Sequence, residues 1–350
     1  LQTSRGNLSE CNANCQFALQ LFMRRLILLP FIVLILACNL VTAPPPALTI
    51  ETLRAQTTAS PIVTPPAGPS AGAATPGLLP ADAPTGKIVY TCQLAGDQLC
   101  LINADGTGFQ QLTSDLAKHW YASIAPDGAS VIYSAFAEDN VYEIYELNLA
   151  SGLTTQLTDK LGVCIAPEIS PDGRSIVFTW GNAKGASQIW VMERSGANPH
   201  KIHPQGWDPT WSPDGTQILF ASNMEGANQL FVMDANGANV RRVTNFDSLR
   251  GRSDWSPDGG WMVTYNGQPW HREVFIFRPD FSDLRQLTPE GGNSQGPSFS
   301  PDGKWVTFTS YFDHYGEDLG CEIYIIRVDG TDLRRLTDNA YCDYQPRWGP

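Results

Sequence analysis

The sequence predicts an all-β chain, a six-bladed β-propeller closed by pairing of its N- and C-terminal strands. Three observations predict it. The turn Pro-Asp-Gly recurs with its Asp at 127, 172, 214, 258 and 302, at spacings of 45, 42, 44 and 44 residues, and a fixed period of roughly 20–50 residues is the mark of a repeat architecture. Short β-branched and aromatic runs follow each turn in the same order, and four strands per unit of about 44 residues is the pattern of a propeller blade. The 31 Gly and 26 Pro among 350 residues supply the turns that so many strands require.

The first residues read as targeting rather than fold. From Met23 the chain runs "MRRLILLPFIVLILAC", with two arginines, an apolar stretch from Leu26 to Ala37 and a small residue before Cys38. Such a stretch is shorter than the roughly 20 residues that span a bilayer. The tetrad "ILAC" resembles a bacterial lipobox, which implies a lipoprotein signal peptide over residues 23–38 and lipidation of Cys38. Leu36 stands where that pattern usually has a small residue. Residues 1–22 are expected to be a gene-model extension. Residues 39–85 are rich in Pro, Ala and Thr, as in "TAPPPALT" and "SPIVTPPAGPSAGAATPG", and read as an extended tether that buries too little to fold. The propeller is expected over 86–350.

Within each unit a short strand ends on Ile124, Ile169, Trp211, Trp255 or Phe299 before the turn. In "SPDG" the Pro presets φ for the first corner, Asp suits the second, and Gly takes the left-handed position. The runs "VIYS", "IVFT", "ILFA", "MVTY" and "WVTFTS" then form second strands. Third strands follow as "IYEL", "IWVM", "LFVM", "VFIF" and "IYII", and fourth strands end in "TQLT", "RRVT", "RQLT" or "RRLT". The opening "GKIVYTC" has the form of a second strand without its first, and the closing "PRWGP" has the form of a first strand without its second. Pairing the two removes an exposed sheet edge.

The repeat "WSPDG…ILFAS…LFVMDANGANVRRVT" resembles that of the six-bladed TolB-type propellers, relatives of WD-repeat propellers, and the resemblance covers residues 86–350. It implies a protein-binding platform, since the family's namesake engages a peptidoglycan-associated lipoprotein. In that protein an α/β domain precedes the propeller, and here the tether is expected in its place.

The expected function is therefore an extracytoplasmic, lipid-anchored, non-enzymatic module of the cell envelope that binds a protein, with a glycan as a second ligand class and no cofactor. A monomer is expected, held to the membrane only by its lipid, at the outer face of the cytoplasmic membrane or in the periplasm. A net charge of -12 argues against nucleic acid, which needs clustered Lys and Arg.

Alternation places the Pro-Asp-Gly turns and third-to-fourth turns on one face, and the variable second-to-third loops and unit connections on the other, the expected binding face. The channel mouth there is expected to be lined by Tyr121, Glu168, Asp208, Arg252, Asp254, Gln345 and Arg347, mixed charges that suit a polar ligand. His119, His203, His271 and His314 map to the same face. Their convergence on a metal would point instead to a propeller enzyme resembling an oligogalacturonate lyase. "GNSQG" matches G-x-S-x-G at Ser294 but lies in a unit connection, without the strand-to-helix turn that makes such a serine a nucleophile. Cys92 with Cys100, and Cys321 with Cys342, are spaced to form disulfides in an oxidising compartment, which leaves Cys164 as a buried thiol.

Overall fold

The computed structural model describes residues 82–350, apart from 116, 139–140, 183 and 314–319. The chain divides into Leu1–Leu79 and Pro80–Pro350, and the second unit holds every described residue. The expected gene-model extension, the signal peptide with Cys38, the tether up to residue 81 and His314 lie outside the described residues.

Among the described residues the fold is all-β, with 24 strands. The first unit holds β1 (Lys87–Cys92), β2 (Gln98–Asn103) and β3 (Gln110–Gln111). The second holds β4 (His119–Ile124), β5 (Ser130–Glu138), β6 (Val141–Asn148) and β7 (Thr154–Gln156), and the third holds β8 (Val163–Ile169), β9 (Ser175–Gly181), β10 (Ser187–Glu193) and β11 (His200–His203). The fourth comprises β12 (Trp207–Trp211), β13 (Gln217–Ser222), β14 (Gln229–Asp234) and β15 (Arg241–Arg242), and the fifth β16 (Leu249–Trp255), β17 (Met262–Gln268), β18 (His271–Phe277) and β19 (Arg285–Gln286). The sixth comprises β20 (Gln295–Phe299), β21 (Trp305–Ser310), β22 (Glu322–Arg327) and β23 (Arg334–Arg335), and β24 (Asp343–Gly349) follows.

Neighbouring strands within each unit are antiparallel, and β24 joins the first sheet in the order β24-β1-β2-β3. Its register sets Ile88 opposite Trp348 and Val89 opposite Arg347. The second and third units merge into one eight-stranded sheet through a single parallel pair, Tyr142 and Val163. The inner strands β4, β8, β12, β16 and β20 each contact the next, and β24 contacts both β20 and β4.

Alternation along the strands sends side chains to both faces of each sheet, so apolar clusters fill the spaces between sheets. Val89, Leu101, Val131 and Tyr133 pack the first unit on the second. Ile88, Tyr90, Trp305, Ile325 and Trp348 pack the first on the sixth. Trp348 also donates from Nε1 to the Thr85 carbonyl at 2.8 Å, and Lys304 Nζ lies 3.5 Å from Asp82, so the packed chain begins ahead of Gly86.

The repeated turn works through its serine as well as its Pro-Asp-Gly. In the third unit Ser170 Oγ donates to Asp172 Oδ1 at 2.6 Å and accepts from the Ser175 amide, while Gly173 adopts φ 72°. Four of the five turn glycines lean on a neighbouring proline: a Cβ on Gly215, Gly259 or Gly303 would meet Pro171, Pro213 or Pro257, and one on Gly128 would meet Pro350, whereas one on Gly173 would meet Arg194. Pro350 thus occupies the place of a turn proline for the first unit.

The fourth strands are shorter than the sequence predicts and stop before the Leu-Thr pair. The threonine replaces the ladder there. Thr288 Oγ1 accepts from the Val274 amide at 3.0 Å and donates to Glu273 at 2.7 Å, whose other oxygen accepts from the Gly291 amide. The same arrangement joins Thr244 to Gln229, Thr158 to Glu143 and Thr337 to Glu322. These polar groups are buried and mutually bonded, which offsets their desolvation.

Candidate functional site: the channel mouth

All six inner strands are bulged, and the same row of residues carries the bulge. Tyr121, Ala166, Asp208, Arg252, Gly296 and Gln345 all have positive φ, between 25° and 63°. The cost for a non-glycine residue is on the order of 1 kcal/mol or more, and side chains of the same row help to hold it. Gln345 Oε1 accepts from the Tyr121 amide at 3.0 Å, and Asp208 Oδ2 from the Arg252 amide at 3.1 Å.

Two residues further along, a second row crosses the centre. Arg347 on β24 lies 3.3 Å from Glu168 on β8 and 3.3 Å from Asp254 on β16, so one guanidinium links alternate units. Glu168 Oε1 accepts from Thr210 Oγ1 and the Trp211 amide, and Asp254 Oδ2 from Ser298 Oγ and the Phe299 amide. The structure therefore brings together Glu168, Asp208, Arg252, Asp254 and Arg347, with Tyr121 at the edge, where its ring lies 5.6 Å from the Arg252 guanidinium.

This layer is packed rather than open. Asp208, Arg252 and Arg347 are only 7–8% exposed, and the cavity that the two rows enclose measures about 10 Å³, room for about one water. Burial raises the pKa of Glu168, against the opposing pull of Arg347, and raises that of Asp208 against Arg252. Burial and the repulsion of Arg347 lower Arg252 to about 10. With three carboxylates against two guanidinium groups, a proton retained on one buried acid brings the layer to neutrality.

Half-buried aromatic residues cluster on the variable face, a set that sequence reasoning missed because it weighted charge. Trp120 Nε1 donates to Tyr344 Oη at 2.8 Å, which donates to Asp97 at 2.9 Å. Tyr142 lies 5.5 Å from the Trp120 ring and 5.3 Å from Phe136. Trp270, at the tip of the β17–β18 hairpin, meets Tyr311 at 5.0 Å. The signal was present in the loops as "SAFAEDNVY" and "YNGQPWHRE".

His119, His203 and His271 sit in separate units, each with its own neighbours. His119 is buried between Thr113 and Asp115, and burial lowers its pKa. His203 rests 5.0 Å from the Phe220 ring, and His271 is exposed at the start of β18. No group of three or more His, Cys, Asp or Glu side chains suited to a metal ion occurs among the described residues. Ser294 is fully buried, with its Oγ 3.2 Å from that of Ser310. Both disulfides are formed: Cys92–Cys100 spans the β1–β2 hairpin, and Cys321–Cys342, with Cα atoms 4.6 Å apart, ties the start of β22 to the approach to β24. Cys164 is a buried thiol, and burial raises its pKa to about 12.

Comparison with known proteins agrees with this architecture. The crystal structure of TolB from Acinetobacter baumannii superposes with a TM-score of 0.66 at 25% identity, covering 76% of this chain and 67% of that one. A structure from Agrobacterium tumefaciens assigned to TolB gives 0.59 at 19% identity, over 76% of this chain and 99% of that one. An uncharacterised protein of Agrobacterium fabrum is 33% identical over 125 residues, 35% of this chain, and the match spans 42% of that relative's length. The TolB beta propeller domain profile matches residues 82–319, and the chain belongs to that family.

Proposed function

We propose that the chain is a six-bladed propeller, closed by β24 on β1, that acts as a non-enzymatic protein-binding module of the cell envelope. The observation that carries this reading is the mouth itself. A rigid, plugged layer of Glu168, Asp208, Arg252, Asp254 and Arg347 underlies an aromatic cluster of Trp120, Phe136, Tyr142 and Tyr344. Half-buried Trp and Tyr over a fixed support are the residue types that dominate binding energy at protein interfaces. Membership of the TolB propeller family supports the same reading. Tyr121 and Gln345 join that layer to the rim, and a glycan stacking on Trp120 and Tyr142 is the second ligand class.

The cyclic contacts of the inner strands, with β24 between β20 and β4, support the closed ring. The two disulfides support an oxidising, extracytoplasmic compartment, and a lipid on Cys38 would hold the protein there. Affinity capture from native envelopes tests the function: wild-type protein is expected to retain a specific partner that Trp120→Ala/Tyr142→Ala loses while keeping its melting temperature. Retention of every partner by that variant would remove the mouth as the site. A Cys38→Ala variant that still fractionates with membranes would refute lipid anchoring.

A further inference from the structure

The opposite face carries a cleft between the fourth and fifth units, and the neighbouring units indicate what fills it. In the fifth unit Trp261 precedes β17 and its ring lies 3.7 Å from the Arg278 guanidinium and 5.7 Å from that of Arg285. In the sixth, the Trp305 ring lies 4.4 Å from Arg327 and 4.8 Å from Arg334. Gln217 is the equivalent residue of the fourth unit, because Gln217, Trp261 and Trp305 each donate their amide to the serine of the preceding turn. Its cross-strand neighbour is Asp234 where Trp305 has Arg327. Arg241 keeps the register of Arg285 and Arg334. One guanidinium of the pair therefore remains, without an indole of the chain's own.

A cleft of about 450 Å³ opens here, lined by Gln217, Arg241 and the prolines 213, 257 and 279, within the roughly 300–1,000 Å³ range of ligand sites. Arg241 Nη1 reaches the Pro279 carbonyl at 3.4 Å across it, as Arg285 reaches Val328. Trp255 forms part of the wall. It is 8% exposed, and its Nε1 has no hydrogen-bond acceptor among the described residues, whereas the equivalent Trp211 donates to the Glu168 carbonyl at 3.2 Å. Asp258, on the same turn, receives Ser256 Oγ and the Gly260 amide on Oδ1 and is exposed, so its carboxylate can accept from a further donor.

We propose that this cleft is a binding site for a tyrosine or tryptophan side chain of a partner protein, whose ring stacks on Arg241 where the sister units stack their own tryptophan. The prolines and the Trp255 ring border the ligand's ring edge, and Asp258 accepts from the phenol or indole. The site lies on the turn face, away from the aromatic mouth, and does not depend on what binds there.

The probe is N-acetyl-L-tryptophanamide, titrated into the full chain while the indole N–H resonances are followed, with Trp255 assigned through Trp255→Phe. A saturable shift of the Trp255 signal is expected at probe concentrations on the order of millimolar. Arg241→Ala should weaken binding about two- to fivefold, the range of an exposed cation–π contact. Gln217→Trp, which installs the sister residue, should raise the melting temperature and abolish the shift. A Trp255 signal that never saturates overturns the site, as does a shift that survives Gln217→Trp. Should that variant fail to fold, unaltered binding by Arg241→Ala overturns it equally.

Discussion

Replacing Arg347 by Met tests the layer beneath the mouth. Arg347 forms an ion pair with both Glu168 and Asp254, each at 3.3 Å. Replacing it by Met keeps most of the side-chain volume but strands two carboxylates that are only 17% and 18% exposed, which costs up to about 3–5 kcal/mol. The loss should depend on pH. Burial already raises Glu168 above its ordinary value with Arg347 opposing the rise, so the variant's carboxyl rises further. An acid raised in the folded state lowers stability as pH climbs from the unfolded value through the folded one, by about 1.4 kcal/mol per unit. Acidification within that window therefore restores the variant more than the wild type. Urea unfolding at pH 8 and pH 5 measures both effects, and adding Glu168→Gln with Asp254→Asn should recover most of the deficit. A deficit below about 1 kcal/mol at pH 8 would refute the reasoning, as would one unchanged at pH 5.

Two further predictions concern the junction of the first and sixth units. Cys321 and Cys342 are separated by 21 residues, so replacing both by Ala should lower stability by about 3 kcal/mol through release of the unfolded chain; equal stability with and without the bridge would show that β24 docks independently of it. Asp343 is fully buried, and burial, reinforced by Glu322, raises it to about 7, with Tyr90 and Tyr341 also facing it and Asn339 donating to it. Asp343→Asn should match wild type near pH 4 and exceed it at pH 8, by at most about 4 kcal/mol. Melting curves across that range should show the gap widening with pH, and a constant gap would contradict the assignment.

Much of the fold was legible because the repeat states it several times. The Pro-Asp-Gly period located the second strand of units two to six, and "PRWGP" with "GKIVYTC" located β24 and β1. The mouth was legible as two rows of residues but not as a packed layer. Alternation tells which side chains point inward, whereas the reach of Arg347 to units three and five depends on how far the strands stand from the centre. The left-handed row was hidden because five of its six members are not glycine, and positive φ there follows from the bulge rather than from residue preference. The role of the repeated threonine was hidden for a similar reason: Thr288 and Glu273 meet only after the third strand and the following loop lie side by side.

Site-specific photo-crosslinking in native envelopes tests the central claim most directly. A benzophenone amino acid at Tyr142 on the variable face, compared with one at the exposed Leu153 on the turn face of the same unit, reports which face meets a partner. The account predicts a discrete protein adduct from position 142 that disappears with Trp120→Ala, and none from position 153. An adduct from 153 alone, or none from 142 in envelopes where capture succeeds, would contradict it.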